Sequence, residues 1–216
     1  LTHALRTLSI VLGIAVAAAS ARADDVDDAL AAYDRKDFAT ALKVLLPAAE
    51  TGEQRAMNTL GLMYLNGEGV ARDTDEGRKW IGRAADRGYA AGQHNLGVMY
   101  ERGEGVARSL AMAAKYYRLA AEQGYESAQY NLGVLYEEGR GVTRDPAAAV
   151  RWYRSAAEQG SVLAQVNLAV LLENGEGVTK DDAESAKWYL RAAEQGHVRA
   201  QLHAGYDFAT GRGVAR

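Results

Sequence analysis

Gly133-Val134-Leu135-Tyr136, near the middle of the chain, decides the fold because close copies of it recur at a fixed distance. Gly97-Val98-Met99-Tyr100 stands 36 residues before it, and Gly61-Leu62-Met63-Tyr64 another 36 residues earlier. The same period separates two further series of residues: Gly52, Gly88, Gly124, Gly160 and Gly196, and the aromatic series Trp80, Tyr116, Trp152 and Trp188. Self-similarity at a fixed period of about 20–50 residues indicates a repeat array.

The period divides most of the chain into equal units. We predict full repeats at 53–88, 89–124, 125–160 and 161–196 and an incomplete one at 197–216. Residues 24–52 are irregular, and their apolar spacing predicts a helical hairpin. Because the chain begins with Leu1 and stops midway through a repeat, we expect it to be part of a longer protein.

Each full repeat is predicted to hold two helices joined by a glycine connector. The first helix has apolar residues at helical spacing and ends at a glycine that suits a left-handed backbone. The second helix follows a residue type that caps helices well: Asp73, Ser109, Asp145 or Asp181. A single hairpin cannot bury its own apolar surface, so we predict an all-α fold, an α/α solenoid in which antiparallel helix pairs stack as a right-handed superhelix with a 36-residue period.

The aromatic series and the connector valines are predicted to complete the core. Trp80, Tyr116, Trp152 and Trp188 stand at the same position of each second helix. If Trp152 fills the core, its replacement by alanine lowers the free energy of unfolding by about 3–5 kcal/mol. The connector valines, which we expect to pack back against the helices, are Val106, Val142 and Val178.

The first 23 residues have the pattern of a secretory signal peptide. Arg6 precedes a short apolar run, and Ala21-Arg22-Ala23 provides a small-x-small cleavage site. We predict cleavage before Asp24, which intact-mass measurement of the exported protein would detect. A retained anchor or a buried helix is the alternative. With the signal removed, no integral membrane segment is expected, and the location would be the bacterial periplasm or the medium.

Composition narrows the class of partner. The chain is 48% hydrophobic with a net charge of −3, and residues 24–216 carry −5. This balance does not favour a nucleic-acid or membrane-surface partner. There is no cysteine, so an exported form must be held together by packing without disulfides, and a lipid-acceptor cysteine is absent from the chain.

The residues that recur in each copy match a known family. The third copy contains Ala128-Gln129-Tyr130-Asn131-Leu132-Gly133, followed by Gly139-Arg140-Gly141-Val142, by Trp152-Tyr153 and by Ala156-Ala157-Glu158-Gln159-Gly160. This pattern resembles the Sel-one-like repeat, a relative of the tetratricopeptide repeat, over about residues 53–214. The fourth copy departs from it at Ala169 and Leu172, and Gly77 interrupts a predicted second helix. The resemblance implies an α/α solenoid that acts as an adaptor or scaffold for protein complexes.

No catalytic, cofactor or metal motif is found. The chain lacks Gly-x-Ser-x-Gly, His-Glu-x-x-His and a phosphate-binding Gly-Lys-Ser/Thr loop. Thr40-Ala41-Leu42-Lys43 has the spacing of Ser-x-x-Lys with a different nucleophile. The Gly-x-Gly connectors lack the preceding strand of a phosphate loop, and His197 and His203 are six residues apart, which is poor spacing for shared metal ligation. We therefore predict a non-enzyme without a cofactor or metal.

The resemblance also implies where a ligand binds. In tetratricopeptide-like solenoids the first helices line a concave groove, and related repeats use an asparagine there to hold a peptide. The equivalent positions are Asn95, Asn131 and Asn167, with Thr59 and His203 in the same slots and Arg55, Ser127, Leu163 and Arg199 along the same groove. A carboxamide both donates and accepts, so it suits an extended peptide backbone. The alternative is that these asparagines brace neighbouring helices.

Three acidic residues recur at one period near the ends of the first helices: Glu101, Glu137 and Glu173. They either form a solvated face or line one rim of the groove and select basic or polar segments.

The leading hypothesis is an exported scaffold that binds a protein or peptide partner in the groove. A second, by resemblance alone, is β-lactam binding or weak β-lactam hydrolysis, as described for some secreted members; those relatives have disulfides between paired helices, which this chain lacks. A third is a purely structural role with assembly through the open ends.

Overall fold

The computed structural model describes residues 23–213, and within them every regular element is an α-helix. The predicted signal peptide lies outside the described residues. Among the described residues, no helix is both long and apolar enough to cross a membrane. The helices are α1 (Ala23–Asp34), α2 (Phe38–Thr51), α3 (Gln54–Asn66), α4 (Thr74–Asp86), α5 (Ala90–Arg102), α6 (Leu110–Ala121), α7 (Glu126–Glu138), α8 (Pro146–Glu158), α9 (Val162–Asn174), α10 (Asp182–Glu194) and α11 (Val198–Thr210).

The chain divides into two compact units, with the boundary between Ala84 and Ala85. The first unit contains α1–α3 and most of α4, and the second contains the end of α4 and α5–α11. In the second unit each helix packs against the next along the chain, as in α5 with α6 and α7 with α8. The predicted all-α class and the repeated helix pairs are confirmed.

The predicted N-caps of the second helices are confirmed. Asp73 Oδ1, Ser109 Oγ, Asp145 Oδ1 and Asp181 Oδ1 each accept a hydrogen bond from the backbone N–H three residues later, at 2.8–3.3 Å. Each bond satisfies an N–H that the helix itself leaves without a partner. The first helices end as predicted, because Gly103 and its equivalents adopt a left-handed backbone and donate back to the last turn.

Two of the four predicted aromatic residues are buried, and a tyrosine that directly follows the predicted position is buried in three repeats. Tyr117 and Tyr153 are fully buried and Tyr189 is 1% exposed, whereas Tyr116 and Trp152 are only partly buried. Trp80 and Trp188 are buried, at 7% and 6% exposure. Trp152 packs against the core without filling it, so that prediction holds only in part: Tyr153, the next residue, is the one that is fully buried.

Glycines on the first helices make room for these tyrosines. A Cβ at Gly97 would lie 2.7 Å from the ring of Tyr117, and one at Gly133 would lie 2.6 Å from the ring of Tyr153. In the first unit the same close approach involves Gly77, whose Cβ would lie 2.8 Å from the backbone oxygen of Gly61. The glycine inside α4 is therefore a packing requirement.

The second glycine of the connector touches the preceding repeat. Gly141 has φ of 72°, and a Cβ on it would lie 2.3 Å from the carbonyl carbon of Leu110, at the start of α6. Gly177 approaches Pro146 at the start of α8 in the same way. The connector is thus a contact between repeats as well as a turn. As predicted, Val142 and Val178 pack against the core, although they are only partly buried.

Glutamines connect the two helices of a repeat to each other and to the preceding repeat. Gln159 Nε2 donates to Gln129 Oε1 at 2.7 Å, and Gln129 Nε2 donates to the carbonyl oxygen of Ala121 at 3.2 Å. The same pair of bonds recurs one repeat earlier, through Gln123 and Gln93, and one repeat later, through Gln195 and Gln165. Since Gln93, Gln129 and Gln165 are buried, these bonds satisfy side-chain amides that would otherwise be costly to bury.

Candidate binding face

The predicted groove residues of the second unit lie on its first helices. Asn95 and Glu101 are on α5; Ser127, Asn131 and Glu137 on α7; Leu163, Asn167 and Glu173 on α9; and Arg199 and His203 on α11. We call this set, with His94 and Tyr130, the first-helix face. Arg55 and Thr59 are on α3 in the first unit.

His94 joins two of the predicted asparagines across neighbouring repeats. Its Nδ1 lies 3.3 Å from Asn95 Oδ1, and its Nε2 lies 3.1 Å from Asn131 Nδ2. Because a carboxamide oxygen only accepts, we assign the proton of a neutral ring to Nδ1 and an accepted bond to Nε2. The ring centroid also lies 5.6 Å from that of Tyr117 and 5.2 Å from that of Tyr125.

The next repeat has the equivalent arrangement with a tyrosine in the place of histidine. Asn167 hydrogen-bonds to the side chains of Tyr130 and Tyr153. The Tyr130 and Tyr153 ring centroids are 5.9 Å apart. Burial raises the pKa of both tyrosines, so they stay protonated. Asn131 and Asn167 therefore contact residues of the preceding repeat while they remain partly exposed.

The three recurring glutamates accept from the buried tyrosines. Tyr117, Tyr153 and Tyr189 donate their hydroxyl groups to Glu101, Glu137 and Glu173 at 2.7, 2.6 and 3.3 Å, each pair 16 residues apart. Arg140 also donates to Glu101 at 3.1 Å, and Arg212 pairs with Glu173. Each carboxylate thus satisfies a buried phenol at the edge of the first-helix face.

The remaining predicted residues differ in their exposure. Leu163 is 50% exposed, Arg199 is exposed and Ser127 is partly buried. His203 stacks on Tyr189, with ring centroids 4.4 Å apart. A cavity of about 220 Å³ lies beside it, and its lining consists of Glu173, Leu202, His203, Tyr206 and Arg212.

The two predicted residues of the first unit contribute little free surface. Thr59 is buried, with 7% exposure, and Arg55 pairs with Asp27 at 2.5 Å and with Glu53 at 3.1 Å. Thr40 and Lys43, which share the spacing of Ser-x-x-Lys, line a cavity of about 370 Å³ together with Asp25, Asp28, Ala29, Val44 and Pro47. Within residues 23–213 no group of three or more histidines and carboxylates is arranged to hold a metal.

Sequence reasoning missed the tyrosine–glutamate pairs and the glutamine bonds. Both had a signal, since Tyr117, Tyr153 and Tyr189 and the residues Gln93, Gln129 and Gln165 keep the 36-residue period. The period shows that a position is constrained, but it does not show which neighbour imposes the constraint.

His94 makes the stability of this face depend on pH. Burial lowers the pKa of His94, although Asn95, Glu126 and Glu101 oppose the shift. In the unfolded chain His94 has an ordinary pKa of about 6.5, so it binds a proton at pH values where His94 in the folded chain remains neutral. We expect the free energy of unfolding to fall as the pH drops below about 6.5, until the lowered folded pKa is reached.

Urea unfolding at about pH 7.5 and about pH 5.5 measures this dependence. A His94→Gln variant, which retains His197 and His203, should lose less stability over this interval than the unchanged protein. An equal loss in both proteins would contradict the role of His94.

Comparison with known proteins agrees with the repeated helix pairs of the structure. The model of the Sel1 repeat matches residues 54–89, 90–125, 126–161 and 162–197, and the chain belongs to this family. A comparison with curated proteins finds no match. The Sel1 repeat fold is a helical scaffold, generally non-catalytic and commonly used for protein interaction.

Solved structures show the same fold. A protective antigen of uropathogenic Escherichia coli strains, which displays an SLR fold, is 40% identical with a TM-score of 0.81, and the match covers 88% of this chain and 42% of the antigen. A Sel1 repeat protein from Oxalobacter formigenes is 32% identical, also with a TM-score of 0.81, over 88% of this chain and 78% of that one. A Sel1 repeat protein from Klebsiella pneumoniae, at 17% identity and a TM-score of 0.56 over 84% of this chain and 90% of that one, shares the fold alone. The chain thus spans less than half of the E. coli antigen.

Proposed function

We propose that this protein is an exported Sel1 repeat scaffold that binds a protein or peptide partner through the first-helix face. The observation that carries the proposal is the recurrence of partly exposed amides, Asn95, Asn131 and Asn167, at one position of three successive first helices. Repeats that keep one polar group per step offer a series of equivalent hydrogen-bonding positions to an elongated ligand.

The chemistry of the amides suits an extended peptide. The Asn131 side chain uses Nδ2 toward His94, and its oxygen keeps accepting capacity for a ligand N–H. Leu163 is half exposed and precedes Asn167 by four residues on α9, so it adds an apolar contact for a side chain of the partner. A mixture of fixed polar groups and apolar surface is what recognition of a peptide requires.

Export is supported by the sequence of residues 1–23, with the predicted cleavage before Asp24. On this proposal the mature chain begins with the hairpin of residues 24–52. Four full repeats follow, at 53–88, 89–124, 125–160 and 161–196, and then the incomplete repeat at 197–216.

Blocking the face tests the proposal while the hydrogen bonds of Asn131 and Asn167 stay in place. Ser127→Arg together with Leu163→Arg places two long cations on the face and leaves Asn131 and Asn167 in place. We expect the double variant to capture at least about tenfold less of the partners that the unchanged protein retains from a periplasmic extract, because the added side chains occupy the binding surface. Quantitative mass spectrometry of the bound fraction measures this loss.

The control variant carries the same added charge elsewhere. Ala111→Arg with Ala183→Arg alters two exposed positions on second helices, α6 and α10. It should retain the partners of the unchanged protein. If both double variants capture the same proteins in the same amounts, the first-helix face is not the binding surface.

A further inference from the structure

Trp188, on α10, has two charged partners within its own repeat. Glu184 Oε1 accepts from the indole Nε1–H at 3.2 Å, and the Arg191 guanidinium carbon lies 4.6 Å from the ring centroid. Arg154, from the preceding second helix, donates both Nη atoms to the Glu184 carboxylate, with an Nη2–Oε2 distance of 3.3 Å. One carboxylate therefore serves two donors, and Arg154 lowers the pKa of Glu184 accordingly.

One repeat earlier, both donors are present and the carboxylate is missing. Arg118 is equivalent to Arg154 and Trp152 to Trp188, but Ala148 stands in the place of Glu184. Ser155 replaces Arg191, so the indole ring of Trp152 also lacks its covering guanidinium. Trp80 in the first repeat keeps the covering guanidinium, since Arg83 lies 4.6 Å from its ring centroid, and Glu76, four residues before it, pairs with Lys79 at 2.9 Å.

The two small residues leave a cleft where the larger ones would be. Its volume is about 410 Å³, and its lining consists of Arg118, Glu122, Tyr136, Asp145, Ala148, Arg151, Trp152 and Ser155. Arg118 is exposed and donates one bond to Tyr136 Oη at 2.6 Å. Among the described residues, no carboxylate pairs with Arg118, and Arg151 on the same cleft has no ion pair.

We propose that this cleft binds an acidic residue of a protein partner, specifically a glutamate side chain whose carboxylate takes the position that Glu184 occupies one repeat later. Arg118 and the Trp152 Nε1–H donate to it, as Arg154 and Trp188 donate to Glu184. A charged hydrogen-bonded pair of this kind is the strong form of polar recognition. The cleft is lined mainly by second-helix residues and shares none of its lining with the first-helix face.

The two acidic residues of the cleft do not prevent this binding. Asp145 is the N-cap of α8, and its counterpart Asp181 is the N-cap of α10 beside Glu184. Glu122 corresponds to Glu158, whose charge acts on Arg154 without replacing Glu184 as its partner. The occupied site of the next repeat therefore tolerates the same two acidic neighbours.

Titration followed by two-dimensional NMR tests the proposal at a single atom. The probe is a short peptide with blocked ends and one central glutamate, and the comparison peptide has glutamine in its place. We expect the glutamate peptide to shift the indole N–H resonance of Trp152, which a Trp152→Phe variant identifies, in a saturable manner. The glutamine peptide should bind at least about tenfold more weakly, because it lacks the negative charge.

Ala148→Glu supplies the carboxylate from within the chain. This variant should fold, since Glu184 is accommodated at the equivalent position, and it should no longer bind the glutamate peptide. Ala111→Glu, which adds the same charge at an exposed position of α6 outside the cleft, should bind as the unchanged protein does. If Ala148→Glu does not fold, Arg118→Gln, at an exposed site, is expected to give the same loss.

Three results would overturn the proposal. The first is a Trp152 resonance that the glutamate peptide does not move. The second is unchanged affinity in whichever of Ala148→Glu and Arg118→Gln is folded. The third is an equal response to a peptide whose only carboxylate is its C-terminus, which would make the ligand a chain end instead of a side chain.

Discussion

Replacing Tyr153 with alanine is expected to lower the free energy of unfolding by about 3–5 kcal/mol. The ring is fully buried against Gly133, and its hydroxyl donates to Glu137 at 2.6 Å. The smaller side chain leaves a cavity that the neighbouring helices cannot fill, and it removes a charged hydrogen bond. Chemical denaturation followed by far-UV circular dichroism measures the loss.

Trp152→Ala is the matched comparison, one residue earlier in α8. Because Trp152 is only partly buried and lines a cleft, its replacement should cost less than about 2 kcal/mol. A larger loss for Trp152→Ala than for Tyr153→Ala would mean that the tryptophan, as first expected from the sequence, is the main core residue of this repeat.

Gly141→Ala is expected to destabilise the protein by about 3 kcal/mol. A side chain at this left-handed position costs about 1 kcal/mol by itself. Its Cβ would also lie 2.3 Å from the carbonyl carbon of Leu110, so the backbone of two repeats must separate, which adds about 2 kcal/mol. Thermal and urea unfolding of the purified variant measure the sum.

Gly124→Ala separates the two contributions. Gly124 also has a left-handed backbone, with φ of 85°, but nothing lies within 4 Å of a Cβ placed on it. Its replacement should cost only the backbone strain of about 1 kcal/mol. Equal effects at Gly124 and Gly141 would show that the contact with Leu110 contributes nothing to stability.

The sequence predicts the helices well because their ends are local features. An aspartate or serine that caps the next turn, such as Asp145, acts within four residues, and so does a glycine such as Gly139 that ends a first helix. The fixed period then gives the helix pairs and their stacking. These conclusions need no knowledge of how neighbouring repeats meet.

The packing partners depend on the angle at which helices meet, which the sequence does not state. Trp152 and Tyr153 are adjacent and both aromatic, and only the rotation of α8 decides which one enters the core. Glu137 was predicted either to be solvated or to line a groove, and neither alternative included the hydrogen bond that it accepts from Tyr153. The sequence did not predict the cleft at Trp152 either. The cleft arises where this repeat differs from the next one, at Ala148 and Ser155, whereas the prediction rested on the residues that the repeats have in common.

The contacts between repeats have a direction that bears on synthesis of the chain. Gly141 rests on Leu110, and Gln129 donates to the Ala121 carbonyl, so each repeat docks on residues already made by the ribosome. A newly emerged hairpin therefore packs on a surface that is already made, while its own second helix stays uncovered until the next repeat follows. Folding can then keep pace with translation or translocation from the amino-terminal end, which limits the time that unpaired helices spend exposed to aggregation or proteolysis.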